Sequence, residues 1–395
     1  MATITEKHQT TAAVVTDNFT SIPILDFSQA QAAATKPHFL SKLREALVVV
    51  GFFYLKNHSV PKQVQNDFVD KSKALCSLPL EKKLKMDMVN SKHFLGYSRV
   101  GFEKTARITD KREIFDFLMP FKAPGPDDPI YLNVLGPSQW PDEEDVPGFR
   151  HATETYLESV GDLGRAMTHL VAEALGLEPF ALDRFFLHEL PRNKLSVVRY
   201  CAPEDLPSLD STLDGVCHGD GGFQGVGPHK DGGFLTYLLQ MTTHTGLEAQ
   251  NKSGTWIPVP PITGTFVINV GRSLESMTRG VCTATTHRVN LRPQYFYGKD
   301  GRHLGHRYTS PVFQTLNPNL THEELTSLKL PKHITDLVKD EKVKSDAEAY
   351  FNKHFLDGPG KGTFIARLTS HPEVGQRWYP ELLAQALEGQ REFEG

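Results

Sequence analysis

Cysteine is scarce in this chain of 395 residues: only Cys76, Cys201, Cys217 and Cys282, with no CxxC pair among them. That spacing excludes a thiolate zinc site and a disulfide framework, and it points to free thiols in a reducing compartment. There is no dense Lys/Arg run, and the formal net charge of -4 shows no basic excess, so nucleic acid is not an expected partner. No apolar stretch approaches the length of a transmembrane helix. The opening residues, MATITEKHQTTAAVVTDNF, lack the continuous apolar segment of a secretory signal. These absences lead to the expectation of a cytoplasmic protein, with no membrane and no protein partner indicated. With 39% hydrophobic and 23% charged residues, the chain can still bury a sizeable core.

Residues 1–20 are polar and rich in Thr and Ala, and read as a flexible tail. Ser21 to Asp26 reads as a short strand. Phe39, Leu43, Ala46, Leu47 and Val50 fall at helical spacing, and Gly51 stops that helix. Phe52 to Leu55 reads as a β segment, and Pro61 opens a helix running to about Cys76. Residues 80–150 hold many Pro, Gly and Asp, with the clearest loop at 123–129. Tyr156, Val160, Leu163, Met167, Leu170 and Ala174 step by three or four, which predicts a long helix over about 150–176 with Gly176 at its end.

From about residue 195 the period becomes extended. Strands are predicted over 195–200, 233–240, 247–251, 256–260, 265–270, 285–291 and 307–316. Short strands separated by Gly, Pro and Asn predict an antiparallel barrel or jelly roll. Helical patterns return at about 320. Residues 344–356 read as an amphipathic helix with Ser345 as N-cap, and a second short helix follows Pro380.

The most informative stretch is Gly227-Pro-His-Lys-Asp-Gly-Gly-Phe-Leu-Thr236. His229 and Asp231, two apart on a strand, point to the same side. His287, in Thr285-Thr-His-Arg-Val289, lies at the start of a distant predicted strand and completes a two-histidine, one-carboxylate set. Such a facial triad leaves three positions open and is the pattern of non-haem iron(II) oxygenases. Zinc hydrolases also use two His and a carboxylate, so ligand type alone does not decide. A second HxD, His218-Gly-Asp220, sits just upstream in a Gly-rich polar stretch that reads as a loop. The apolar run Phe234 to Gln240 after His229 favours the later pair.

His-Lys-Asp-Gly-Gly-Phe-Leu-Thr-Tyr-Leu-Leu-Gln at 229–240 resembles the metal motif of 2-oxoglutarate/Fe(II)-dependent dioxygenases of the isopenicillin N synthase-like family, in a fungal-type form. Phe266-Val-Ile-Asn-Val-Gly271, Thr286-His-Arg-Val-Asn290 and Arg307-Tyr-Thr-Ser-Pro311 extend the resemblance, as do Ile22-Pro-Ile-Leu-Asp26, Gly51 to His58 and Asp110 to Asp116. It covers roughly residues 21–320. It departs from the family where Arg272 replaces a usual Asp, where Thr278-Arg279-Gly280 replaces Thr-Asn-Gly, and where Val198 and Arg199 stand in place of an Asn.

The resemblance implies a mainly β core with flanking helices (α+β), folded as a double-stranded β-helix. It divides the chain into a tail (1–20), a largely helical N-terminal dioxygenase region (21–185), the β-helix core (186–320) and a C-terminal helical extension (321–395). It implies Fe(II) on His229, Asp231 and His287, with 2-oxoglutarate and O2 as cosubstrates and ascorbate as a reductant. Arg307, Thr309 and Tyr200 are the expected 2-oxoglutarate contacts, since the planar fork of an arginine matches a carboxylate. Phe94, Tyr97, Arg107 and Phe117 are candidate contacts for a small-molecule substrate. The implied activity is hydroxylation, desaturation or ring closure in specialised metabolism, with release of succinate and CO2. The C-terminal helices are expected to shield the metal site. An isopenicillin N synthase-like or ethylene-forming oxidase with altered cosubstrate use, and a catalytically silent ligand-binding protein on the same fold, are the competing readings.

Overall fold

A computed structural model describes residues 18–105, 108–187, 192–202, 223–337, 346–350 and 356–394. Its strands, in chain order, are β1 (Ile24–Asp26), β2 (Phe52–Lys56), β3 (Gly96–Ser98), β4 (Lys104–Thr105), β5 (Ile108–Thr109), β6 (Arg112–Leu118) and β7 (Asn193–Tyr200). They continue as β8 (Phe223–His229), β9 (Leu235–Gln240), β10 (Leu247–Gln250), β11 (Trp256–Pro258), β12 (Thr265–Val270), β13 (His287–Leu291) and β14 (Arg307–Gln314). Eight of them form one sheet in the order β1-β2-β12-β9-β14-β7-β6-β3, and β11-β10-β13-β8 form a second. The two sheets face each other as a double-stranded β-helix. The larger sheet draws strands from both sides of residue 186, so β1, β2, β3 and β6 of the largely helical region are built into the core sheet.

Alternation along the strands sorts the side chains onto two faces. On β6 and β7, Phe115, Phe117, Leu195 and Val197 face the helix layer. There they pack with Tyr156, Leu163 and Met167 of the helix Phe149–Ala174. Phe68 of the helix Lys62–Cys76 stacks on Tyr156 at 4.2 Å, tying the two long helices together. The intervening residues Ile114, Val198 and Tyr200 face the barrel interior with Val226, Val267 and Val289. The helix that begins at Lys36 tightens into a π turn at Ala46–Val50, and Gly51 ends it with φ +68°, as its sequence position predicts.

The strands read from the extended period are present within a residue or three of their predicted ends. The sequence reading missed β3, β4, β5, β6 and β8. It also placed His229 and Asp231 on one strand. The strand β8 ends at His229, and Asp231 lies beyond it in the bend to β9, so alternation is not what brings the two together. Of the C-terminal helix read over 344–356, only 346–350 and 356 are described; 346–350 are helical. The residues after Pro380 form a helix to Glu394, and a helix over Pro359–Ser370 was not anticipated.

The bend after His229 is fixed by backbone. The Arg272 amide donates to the Asp231 carbonyl at 2.7 Å, the Ser273 amide to the Gly233 carbonyl at 3.1 Å, and the Gly271 amide to the Phe234 carbonyl at 2.9 Å. This approach requires a glycine at 271, where a Cβ would lie 2.0 Å from the Gly233 carbonyl oxygen. Gly271→Ala is therefore expected to destabilise the fold by about 1–3 kcal/mol, the usual range for overpacking. Urea unfolding of the variant checks this; an unchanged midpoint would mean that the bend shifts freely.

Candidate metal centre

β8 and β13 run antiparallel and pair His229 with His287 at their ends. The two imidazoles sit with ring centres 4.3 Å apart. Asp231 curls back between them, its Oδ1 3.5 Å from His229 Nε2 and 3.7 Å from His287 Nε2. Among the described residues, these three are the His, Cys, Asp or Glu side chains whose ligand atoms converge, all within 4.8 Å of one another. His218 and Asp220 lie outside the described residues.

Each donor atom is held by a second contact. His229 Nδ1 lies 2.8 Å from the Gly227 carbonyl, and His287 Nδ1 lies 3.1 Å from the Thr285 carbonyl. A carbonyl only accepts, so both Nδ1 atoms carry the proton and both Nε2 lone pairs face Asp231. Asp231 Oδ2 accepts from Thr236 Oγ1 at 2.5 Å and from Asn269 Nδ2 at 2.8 Å, leaving Oδ1 for a cation. Burial alone would raise the Asp231 pKa, but His287 and His229 beside it hold the carboxyl well below the usual range. Burial, with His229 next to it, pushes His287 down to about 4, so its imidazole is neutral at pH 7. Phe52 packs edge-on against His287 at 5.1 Å.

A second feature lies on the same interior face. Arg307 is 1% exposed, and its Nε and both terminal nitrogens have no hydrogen-bond acceptor among the described residues. Its guanidinium carbon is 4.7 Å from the centre of the Tyr200 ring, directly across the β14–β7 pair. Thr309, two residues along, shares its face and is buried. Tyr200 fits because β8 carries Gly225 opposite it, where a Cβ would lie 3.0 Å from the tyrosine ring. Arg112, paired with Tyr200 from β6, is closed off by Glu103 at 2.9 Å and Asp110 at 3.2 Å.

The described candidate substrate residues, Phe94, Tyr97 and Phe117, are not brought to this interior. Tyr97 and Phe117 belong to the helix-side core, and Tyr97 donates to Glu113 at 2.8 Å. Phe117 shares its face with Phe115, and the residue of β6 that does look inward beside it is Asp116. Phe94 packs against Phe364 and Tyr379 of the C-terminal helices. Arg107 lies outside the described residues. The sequence reading also passed over Thr236 and Asn269. Asn269 is the lone polar residue inside the apolar run Phe266 to Val270, which is the signal that could have found it.

A double-stranded β-helix with two imidazoles and a carboxylate converging at one end has the form of a mononuclear non-haem metal enzyme. Residues 193–314 match the 2OG-Fe(II) oxygenase superfamily, and residues 22–143 match the family described as non-haem dioxygenase in morphine synthesis N-terminal. A "2-oxoglutarate-dependent dioxygenase" of Gibberella zeae is 44% identical over 95% of each chain. A homoarginine-6-hydroxylase of Arabidopsis thaliana is 31% identical over 70% of this chain and 82% of its own. The chain therefore belongs to the 2OG-Fe(II) oxygenase superfamily. Among solved structures, a full-length Neurospora crassa protein in complex with alpha-KG and thymine superposes with a TM-score of 0.63 at 21% identity, covering 83% of this chain and 97% of that one. The rice dioxygenase for auxin oxidation gives 0.54 at 21% identity, covering 86% and 97%.

The donor set suits iron(II), with two neutral nitrogens and one carboxylate oxygen. Contacts behind such ligands typically change metal affinity about 10–100-fold. Asn269→Ala is expected to weaken metal binding within that range while leaving the fold intact. Calorimetric titration of Mn(II) under anaerobic conditions, with circular dichroism, reads both; unchanged affinity would remove Asn269 from the support of Asp231.

Proposed function

We propose that His229, Asp231 and His287 hold the iron and that Arg307, with Thr309 and Tyr200, holds the far carboxylate of 2-oxoglutarate. The observation that carries this reading is the buried Arg307, whose guanidinium has no hydrogen-bond acceptor among the described residues. A buried cation without a partner is costly, and a carboxylate set across from Tyr200 would relieve that cost with charge-assisted bonds. Bound together, iron(II), 2-oxoglutarate and O2 supply an oxidant, with succinate and CO2 as co-products. The protein orients Asp231 through Thr236 and Asn269, keeps the His287 imidazole neutral, and encloses the site inside the barrel, which limits water.

The substrate is a small organic molecule, and the outcome (hydroxylation, desaturation or ring closure) follows from which C–H bond the pocket presents. The 44% identity to a 2-oxoglutarate-dependent dioxygenase of Gibberella zeae supports the reaction class, and a role in specialised metabolism is part of the same proposal. The homoarginine-6-hydroxylase relative supports a polar, amino-acid-like substrate. Ascorbate serves as reductant and the cytoplasm is the place of action; among the described residues no helix is long and apolar enough to cross a membrane. Arg307 favours 2-oxoglutarate over the altered cosubstrate use of isopenicillin N synthase-like or ethylene-forming oxidases. The complete donor set favours catalysis over a silent ligand-binding role.

Succinate release with Fe(II), ascorbate and 2-oxoglutarate tests the proposal directly. Arg307→Ala is expected to raise the KM for 2-oxoglutarate about tenfold or more, since a charge-assisted bond contributes about 1.5–3 kcal/mol, while Mn(II) affinity holds. An unchanged KM would assign the cosubstrate carboxylate to another cation, with Arg112 the nearest candidate.

A further inference from the structure

The interior wall beside the metal centre carries a surplus of positive charge. Lys194 and Ser196 of β7 and Asp116 of β6 lie on the same face as Val198, Tyr200 and Ile114. Lys194 is opposite Phe313 of β14, and Phe313 is opposite Thr236 of β9, the residue that bonds Asp231. This register sets the cluster level with the metal ligands, six residues along the strands from Tyr200 and Arg307. Lys194 Nζ donates to Asp116 Oδ2 at 2.7 Å and lies 5.0 Å from the Phe313 ring centre. The Asp116 carboxylate also takes the Ser196 hydroxyl. Its demand is thus met by Lys194 and Ser196.

Two further cations reach the same place. Arg367, on the helix Pro359–Ser370, has Nη1 3.7 Å from Asp116 Oδ2 and 3.0 Å from His371 Nε2. Burial, with Arg367 beside it, pushes His371 down to about 4, so it is a neutral neighbour that cannot offset the guanidinium. Arg192 precedes β7 on the same face; its Nη1 donates to the Thr315 hydroxyl at 3.2 Å, and its buried Nε has no partner. Arg192 and Lys194 both feel the positive charge of Arg367: burial and that repulsion push Arg192 down to about 10 and Lys194 to about 8. Asp116 faces Lys194 and Arg367, and Glu103, which with Asp110 pairs Arg112, also acts on Lys194; among the described residues the four cations Arg112, Arg192, Lys194 and Arg367 still outnumber the three carboxylates Asp116, Glu103 and Asp110. Like charges gathered out of water are stable when an anion completes them.

We propose that the substrate is a small organic anion whose carboxylate or phosphate group lies between Arg192 and Arg367, with Lys194 held on the same wall by Asp116. The proposal rests on the oxygenase reading above and goes further by naming the substrate class. The anion would anchor one end of the substrate so that a C–H bond at a fixed reach faces the metal. Arg307, six residues along the strands, is reserved for the cosubstrate, so two anions occupy two separate cationic sites.

The test uses the full chain loaded anaerobically with Mn(II) and saturating 2-oxoglutarate, each binding scored first by calorimetry. The loaded protein is then titrated with matched pairs: amino acids including homoarginine, aliphatic and aromatic carboxylic acids and phosphate monoesters, each against its neutral ester or amide. Binding of acids at least about tenfold tighter than their neutral partners is expected, with the carboxylate and phosphate arms telling which group fits. Arg367→Met and Arg192→Met should weaken the acid about tenfold or more, and Arg367→Lys should restore much of it, with circular dichroism confirming that each variant is folded. If Arg192→Met does not fold, the Met and Lys variants at Arg367 decide. Equal binding of acid and neutral partner, no binding by any acid, displacement of 2-oxoglutarate by the acid, or an Arg367→Met variant with unchanged affinity would each overturn the anion assignment alone. Failure to bind Mn(II) and 2-oxoglutarate in the first step would instead overturn the reading on which it rests.

Discussion

The centre depends on how a piece of irregular backbone is held. Asp231 sits in a bend with no strand partners of its own, and three successive amides, from Gly271, Arg272 and Ser273, bind the carbonyls of that bend. The Ser273 hydroxyl adds a bond to the Gly232 carbonyl at 2.7 Å. On the other side, the Phe234 amide bonds the Gln314 carbonyl at 2.8 Å. Backbone bonds of this kind fix position without restricting the side chain, so the Asp231 carboxylate is left to Thr236 and Asn269. The ligand is thereby placed by β9 and β12 while the histidines come from β8 and β13. All four strands must pair in register before three donor atoms meet, which makes the site a product of the whole β-helix.

The eight-stranded sheet has two unlike faces. Its outer face is apolar and carries the long helices, apart from Glu113, where Lys83 at 2.9 Å and Tyr97 at 2.8 Å converge. Its inner face mixes apolar side chains with Arg112, Asp116, Lys194 and Arg307. Burying that many ionised groups is costly unless each has a partner. Arg112 and Lys194 have theirs within the protein. Among the described residues Arg307 meets the face of Tyr200, which contributes far less than a carboxylate would. On the proposed assignment, a cosubstrate carboxylate at Arg307 would meet that demand and tie cosubstrate binding to the stability of the barrel.

Much of this was legible in the sequence. Strongly periodic elements, such as the helix Phe149–Ala174 and the strands β9, β12 and β14, were readable because their buried faces are continuous. β8 was not, since Phe-Gln-Gly-Val-Gly-Pro-His has no alternation: Gly225 must stay small to admit Tyr200, and Gly227 lies against the Gln224 amide. The three residues that converge were singled out from the sequence, although the reason, a shared strand, does not hold, because a bend and not a strand carries Asp231. The choice of Phe117 failed on parity. An aromatic in a substrate-lining strand is attractive, but β6 turns Phe117 to the helices and Asp116 to the interior, and nothing local to the sequence says which parity wins. Arg192 and Lys194 stand two apart at the start of β7, but Arg367 could not have been grouped with them, since it lies on a distant helix joined to β7 only by tertiary packing.

The departure at Arg272 shows how a changed side chain can leave the centre standing and still alter its surroundings. The Arg272 amide bonds the Asp231 carbonyl whatever the side chain, so replacing a usual Asp costs the metal loop nothing there. The new guanidinium pairs with Glu275 at 2.6 Å and stacks on Tyr350 at 4.2 Å, while Lys230, between the ligands His229 and Asp231, also pairs with Glu275 at 3.2 Å. The Tyr350 hydroxyl lies close to Gly232, 3.6 Å from where a Cβ would sit. Tyr350 belongs to the segment that follows the β core. An acidic residue at 272 would stand beside Glu275 and could not stack on that ring, whereas the arginine both neutralises Glu275 and holds the aromatic. The substitution therefore couples the C-terminal extension to the metal loop through one cation, and it does so on the outer side of the bend, where the ligand geometry is untouched.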